Sequence, residues 1–227
     1  MDFSYKAIAS SIAIVFSALP SASQAAVTFF SNRVAFNAAA GPTSLETFNS
    51  FTTEENFRSA PLTVGAFSLN QIGISLGTTR NFIDIQPLQF SAFNVDGSTI
   101  VNGFIDSNSI LRITFASAVT SFGADFASFG TGQGSSIVSA AGSSLVAQNV
   151  PGVQFIGFVS DAPFTIVELL GTFQTGGDGF GFDNLAFSSA IPEPATWAMM
   201  IFGFGLVGGA LRRTNGQRRQ LVRVTYA

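Results

Sequence analysis

Ile110-Leu111-Arg112-Ile113-Thr114-Phe115 and, three residues further on, Val119-Thr120-Ser121-Phe122-Gly123-Ala124-Asp125-Phe126 are the two runs that decide the fold class. In the first, Leu111, Ile113 and Phe115 share one face, opposite Arg112 and Thr114. In the second, Phe122, Ala124 and Phe126 share one face, opposite Gly123 and Asp125. Period-two alternation of this kind marks half-buried β-strands. Pro61 to Leu69, Val153 to Val159, Phe164 to Leu170 and Phe180 to Phe187 read the same way, each ending near Gly, Ser, Asn or Asp. Strands with turn punctuation every 8 to 12 residues predict an antiparallel β-sandwich or jelly roll. One short helix is expected near the start: Ser31 can cap it, Arg33 to Ala40 propagates it, Gly41-Pro42 stops it, and Phe36 is its buried anchor.

The body that these strands build, residues 26–190, holds 22 of the 26 Phe and no Trp, Tyr, Met or Lys. Phe on that scale supplies apolar area at roughly 25 cal/mol per Å2 buried. About 165 residues enclose a core without disulfides, and the chain has no Cys. It has no His either, which excludes Ser-His-Asp triads, Cys nucleophiles and zinc sites of the usual kind. Charged residues make up 10% of the chain, against about 25% in an ordinary soluble domain. Between Ala26 and Ile191 there are four basic and eleven acidic residues, 4 − 11 = −7, although the whole chain is −3. An acidic body repels phosphates, so nucleic acid is not an expected partner.

The balance is restored at the far end, where five arginines fall in the last sixteen residues. They follow Ala195 to Leu211, seventeen residues without a charge. As a helix this run spans roughly 25 Å, a little less than a hydrocarbon core of about 30 Å. Trp197 stands at one border and Arg212 and Arg213 at the other, where an indole and two long cationic stems favour the interface. The expectation is a single transmembrane helix with residues 214–227 as a basic cytoplasmic tail and the body outside. Gly205 and Gly209 form a GxxxG pair, which membrane helices commonly carry.

At the other end, residues 1–25 read as a signal peptide. Lys6 supplies the positive region, Ala7 to Leu19 the apolar one, and Pro20 breaks it. Ser23 and Ala25 are the small residues that a signal peptidase reads, with cleavage expected after Ala25.

Ile191-Pro192-Glu193-Pro194 joins body and apolar run. Prolines flanking a glutamate force an extended, exposed peptide. Pro192-Glu193-Pro194, Trp197-Ala198-Met199-Met200-Ile201, Gly203-Phe204-Gly205, Gly208 and Leu211-Arg212-Arg213 together resemble the PEP-CTERM sorting signal of exported Gram-negative bacterial proteins. The resemblance covers Ile191 to Arg213, about a tenth of the chain. It implies recognition by exosortase, a membrane peptidase, through Pro192, Glu193, Pro194, Trp197, Arg212 and Arg213. It also implies delivery to the cell surface or an extracellular polysaccharide matrix. Thr214 to Ala227 is longer than the short basic end usual in the family.

Three polar groupings are candidate sites within the body. Asp178-Gly179-Phe180-Gly181-Phe182-Asp183-Asn184 offers oxygen ligands of the kind calcium takes, with Asp178, Asp183 and Asn184 as the donors. A turn in which Asp178 and Asn184 bond the backbone accounts for the same residues. Glu46, Glu54 and Glu55 are a carboxylate set that glycoside hydrolysis would need in one cleft, and solvated loop charges are the plainer reading. Gly130-Thr131-Gly132-Gln133-Gly134 superficially resembles a phosphate loop, but no Lys follows, so it reads as a flexible hairpin. The expectation is an exported, non-catalytic protein of structural or adhesive role, without a cofactor. The alternatives are a calcium-dependent glycan-binding module and a carboxylate-based hydrolase.

Overall fold

The structure is a computed structural model, and it describes residues 26–75, 79–87, 92–150, 152–189, 200–209 and 212. It is mainly antiparallel β. The elements are β1 (Val27–Phe30), α1 (Arg33–Ala40), β2 (Ser44–Glu46), β3 (Glu55–Asn56), β4 (Leu62–Val64), β5 (Phe67–Gly73), β6 (Phe82–Asp84), β7 (Ile100–Asp106), β8 (Ser109–Ala127), β9 (Gly134–Ala140), β10 (Ser143–Val146), β11 (Val153–Phe173) and β12 (Gly177–Ser189).

Four of the expected strands turn out to be two. Ile110–Phe115 and Val119–Phe126 are halves of β8, and Val153–Val159 and Phe164–Leu170 are halves of β11. In an unbroken strand Phe115 and Phe122 would lie on opposite faces, because side chains alternate with period two. Yet Leu111, Ile113, Phe115, Phe122, Ala124 and Phe126 all enter one core. The ladder between β8 and β11 shows how. Val159 is opposite Ser121, Phe164 is opposite Val119 and Ile166 is opposite Thr114, so each strand in turn carries extra residues. These irregularities change the facing parity of both strands at the same level. β12 uses the same device: Phe180 and Phe182 face the core, the register slips between Asp183 and Ala186, and Leu185 and Phe187 then face it. Asn184 sits in that slip with φ 54°, a left-handed backbone that Asn tolerates better than most residues.

Because β8 and β11 run through both halves, all twelve strands among the described residues form one hydrogen-bonded sheet rather than two separate ones. One half places β5 and β11 on either side of Ser109 to Phe115, with β9 and β10 beyond β11. The other places β12 and β11 on either side of Val119 to Ala127, with β7, β6 and β3 beyond β12. The halves face each other. Phe67 of β5 and Phe187 of β12 are not ladder neighbours, but their ring centroids lie 6.1 Å apart. The expected strand Pro61–Leu69 is a hairpin, β4 and β5, turning at Gly65 with φ 53°.

The helix forms as expected over Arg33–Ala40, with one correction. Asn32, not Ser31, is its cap: the Asn32 side chain accepts the Ala35 N–H at 3.0 Å. At the other end Gly41, φ 69°, donates its N–H to the Asn37 carbonyl. Phe36 is fully buried, but on the outer face of the sheet, against Phe155, Ala186 and Phe30. It lies over a cross-strand glycine pair, Gly123 and Gly157. A Cβ at either position would meet the Phe155 ring at 2.6 or 2.8 Å, so the absence of side chains there is what seats the two rings.

Candidate functional site

The acidic run of β12 divides between two jobs. Asp178 is five residues from Asp183, an odd step, so the two side chains leave opposite faces of the strand. Asp178 shares the inner face with Phe180 and Phe182 and is almost fully buried. Its Oδ2 accepts the Gly130 N–H at 2.7 Å and the Ser136 hydroxyl at 2.7 Å. Its Oδ1 accepts the Gly132 N–H at 3.0 Å and the Thr131 hydroxyl at 3.3 Å. Four donors match the roughly four acceptor positions of an ionised carboxylate. The glycine loop that superficially resembles a phosphate cradle does wrap oxygen acceptors with its N–H groups, and they are those of the chain's own Asp178. Ser128, φ 62°, and Gly130, φ 87°, give the loop the left-handed backbone that points those N–H groups inward.

Asp183 serves a different loop. Its Oδ1 accepts the Asn184 N–H at 2.6 Å and its Oδ2 meets the Ser98 hydroxyl at 2.9 Å. That hydroxyl also lies 2.6 Å from Oδ1 of Asp96, which accepts the Ser98 N–H as well. Asn184 donates its side-chain N–H to Asp96. Burial pushes the Asp183 carboxyl up to about 7; the bonds from Asn184 and Ser98 oppose that, and the nearby Asp96 and Asp125 carboxylates add to it. Asp96 goes the other way, below the usual carboxylate range, chiefly because the Ser98 hydroxyl bonds it. The Ser98 hydroxyl therefore bridges the two carboxyl groups, Asp183 on β12 and Asp96 in the turn. Beside them Arg33 of the helix binds Asp125 at 2.8 Å, donates to the Asn184 carbonyl at 2.8 Å and stacks on Phe155 at 4.7 Å. The cluster pins the β12 slip to α1 and to the 96–98 turn.

The predicted calcium donors are therefore not gathered into one ligand set. Asp178 is spent on the 130–132 loop, and Asp183 and Asn184 on the 96–98 turn. Among the described residues no group of three or more Asp, Glu, His or Cys side chains is arranged to hold a metal ion. The second carboxylate set is dispersed too. Glu46 accepts the Phe48 N–H at 2.7 Å, Glu55 accepts the Thr53 hydroxyl at 3.2 Å, and Glu54 lines a small hollow with Arg58. A larger groove of about 600 Å3 lies elsewhere, lined by Phe29, Phe30, Leu145, Val146, Val153 and Phe155 among others, with no carboxylate on its walls. Sequence reasoning passed over Asp96, Ser98 and Arg33; Asp96-Gly97-Ser98, an Asx-turn pattern, was the available signal.

The C-terminal segment stands apart from this packing. Residues 200–209 are helical. Ile201, Phe202, Phe204, Leu206 and Val207 are 60% to 74% exposed. A Cβ built on Gly203, Gly205, Gly208 or Gly209 would touch nothing within 4 Å. No helix among the described residues is long and apolar enough to cross a membrane. The expected span Ala195–Leu211 continues beyond the described helix at both ends. Arg212 is described and exposed. Pro192, Glu193, Pro194, Trp197 and Arg213, the basic tail 214–227, and the signal-peptide residues Ser23 and Ala25 lie outside the described residues.

No curated protein matches the chain. A family model does match, over residues 190–213, the segment that contains the unpacked apolar helix. Residues 200–209, whose apolar side chains stay largely exposed, fall within this match, between Pro-Glu-Pro and the arginines of the sequence: the chain carries the PEP-CTERM protein-sorting motif.

Proposed function

We propose that the chain is an exported, non-catalytic β protein, held in the membrane by the apolar run Ala195–Leu211 and sorted through exosortase to the cell surface. Its role there is structural or adhesive, at the surface or in an extracellular polysaccharide matrix. The observation that carries this reading is the sorting motif at residues 190–213, whose described apolar side chains at 201–207 stay largely exposed. An export signal at residues 1–25, removed after Ala25 by signal peptidase, completes the route.

The body's chemistry supports a non-catalytic role. Its buried carboxylates are engaged by backbone and hydroxyl donors of the same chain, and the sequence has neither His nor Cys to act as base or nucleophile. The test is intact-mass analysis of the protein recovered from membrane and external fractions of its native host. The expected external species starts at Ala26 and ends near Pro194. A chain that keeps Arg212 and Arg213 in every fraction would overturn sorting by cleavage.

A further inference from the structure

Both ends of the body leave from the same pole. Ala26 accepts the Asp161 N–H at 3.0 Å, and Val27 is opposite Ser160. Ser189, the last residue of β12, is opposite Val119, which is itself opposite Phe164. First and last residues therefore sit at the bends of β11 and β8. The β4–β5 turn joins them there, since the Ala116 N–H bonds the Ala66 carbonyl. The other pole is made of the turns at 107–108, 128–133 and 174–176: Ser107 bonds Phe173, Gly130 and Gly132 bond Asp178, and Gly177 pairs with Asp106.

The chain between the body and the helix is too short to let these poles change places. β12 runs from one pole to the other in 13 residues, about 40 Å at roughly 3.3 Å each. Ten residues, 190–199, separate Ser189 from the described helix. Fully extended they reach about 36 Å, and in a polyproline conformation about 31 Å. If the apolar run enters the bilayer at Ala195, only 190–194 remain, about 18 Å at most. An inverted body would hold Ser189 some 40 Å above the surface, beyond the tether's reach.

The turns of the first pole suit that position. Gly65, Ala66, Ala116, Ser117, Ala162 and Pro163 are small and uncharged, and Asp161 is the one charged residue in them. Such turns approach headgroups without stripping water from ions. The arginine–carboxylate pairs, Arg33 with Asp125 and Arg112 with Glu168, are set back along the strands.

We propose that the tethered body stands on the bilayer surface on the pole formed by the β8 and β11 bends, with the 128–133 and 174–176 turns facing outward. The apolar groove is then presented outward too, because its wall residue Val153 pairs with Ala127 at that pole. This rests on the membrane reading of residues 195–211.

The chain has no Cys, so single-cysteine variants label cleanly. Ser117→Cys and Thr175→Cys, both at exposed positions, are made in the full chain. Each carries a fluorescent maleimide and is reconstituted into phosphatidylcholine vesicles bearing a headgroup-linked energy-transfer acceptor. Transfer is expected to be several-fold stronger from position 117 than from position 175. Equal transfer, or the reverse order, in protein that floats with the vesicles overturns the orientation and leaves the membrane reading standing. Protein that does not float overturns both.

Discussion

Phe158 and Phe202 are the same residue with opposite fates. Phe158 is fully buried and touches the rings of Phe29, Phe122 and Phe164, while Phe202 is 70% exposed. The body and the sorting segment are both apolar, and the difference lies in pattern. Along the strands apolar side chains alternate with polar ones, so one face of each half is left to find a partner. Around the 200–209 helix they continue on all sides with glycines between, leaving no polar face to hold toward water and no single stripe to dock. A core is built from the first pattern, and the second is the one that a bilayer would satisfy in the membrane reading proposed above. Apolar content by itself distinguishes neither.

That contrast can be broken most forcefully in the core. Phe158→Ala is expected to cost about 3–5 kcal/mol of unfolding free energy, whereas Phe202→Ala leaves the body's denaturation midpoint unchanged. Equal sensitivity at the two positions would show that the helix packs on the body after all.

Asp183 tests the charged interior that the tail lacks. Its folded value near 7 exceeds the unfolded value of about 3.9, so the native state holds this proton more tightly. The group's contribution to stability is fully present below about pH 4, falls as pH rises toward 7, and is level above that. At about 1.4 kcal/mol per unit the loss is at most about 4 kcal/mol. Asp183→Asn imitates the protonated form. Melting curves from pH 4 to 8 are expected to show the variant gaining on the wild-type chain up to pH 7 and no further; parallel curves would rule the shift out.

In the tail, Leu206→Arg places a charge in the apolar run at about 3 kcal/mol against insertion. Vesicle flotation falls and the melting temperature of the body stays where it was. A smaller loss, about 2 kcal/mol, is expected for Asp178→Ala, which orphans the Gly130 and Gly132 N–H groups. Chemical denaturation reads the loss, and amide exchange should localise it to the 128–134 loop.

How much of this was legible beforehand depended on how far apart the interacting residues lie. The α1 segment and its Gly41 stop were readable because a helix cap acts over three or four residues. The choice of Asn32 over Ser31 was not, since both are good caps and a one-residue difference in where the helix begins decides between them. The β-segments were visible from alternation, but the parity changes at residues 116–118 and 160–165 looked like strand ends, and the one at 183–186 fell unnoticed inside the expected strand Phe180–Phe187. Asp178, Asp183 and Asn184 looked like one site because they are close in sequence. Their odd spacing along a strand was the available warning, and only their partners, 42 to 88 residues away, show the separation.

The sequence by itself determined the antiparallel β class, the short helix and the sorting address, because strand alternation, helix stops and a contiguous recognition motif are all written in near neighbours. The tertiary structure alone decided that β8 and β11 continue through their bends into both halves, that the glycine loop encloses Asp178, and that both ends of the body leave one pole. Each of those follows from pairing between distant segments, where a slip of one residue turns every following side chain to the other face of the sheet.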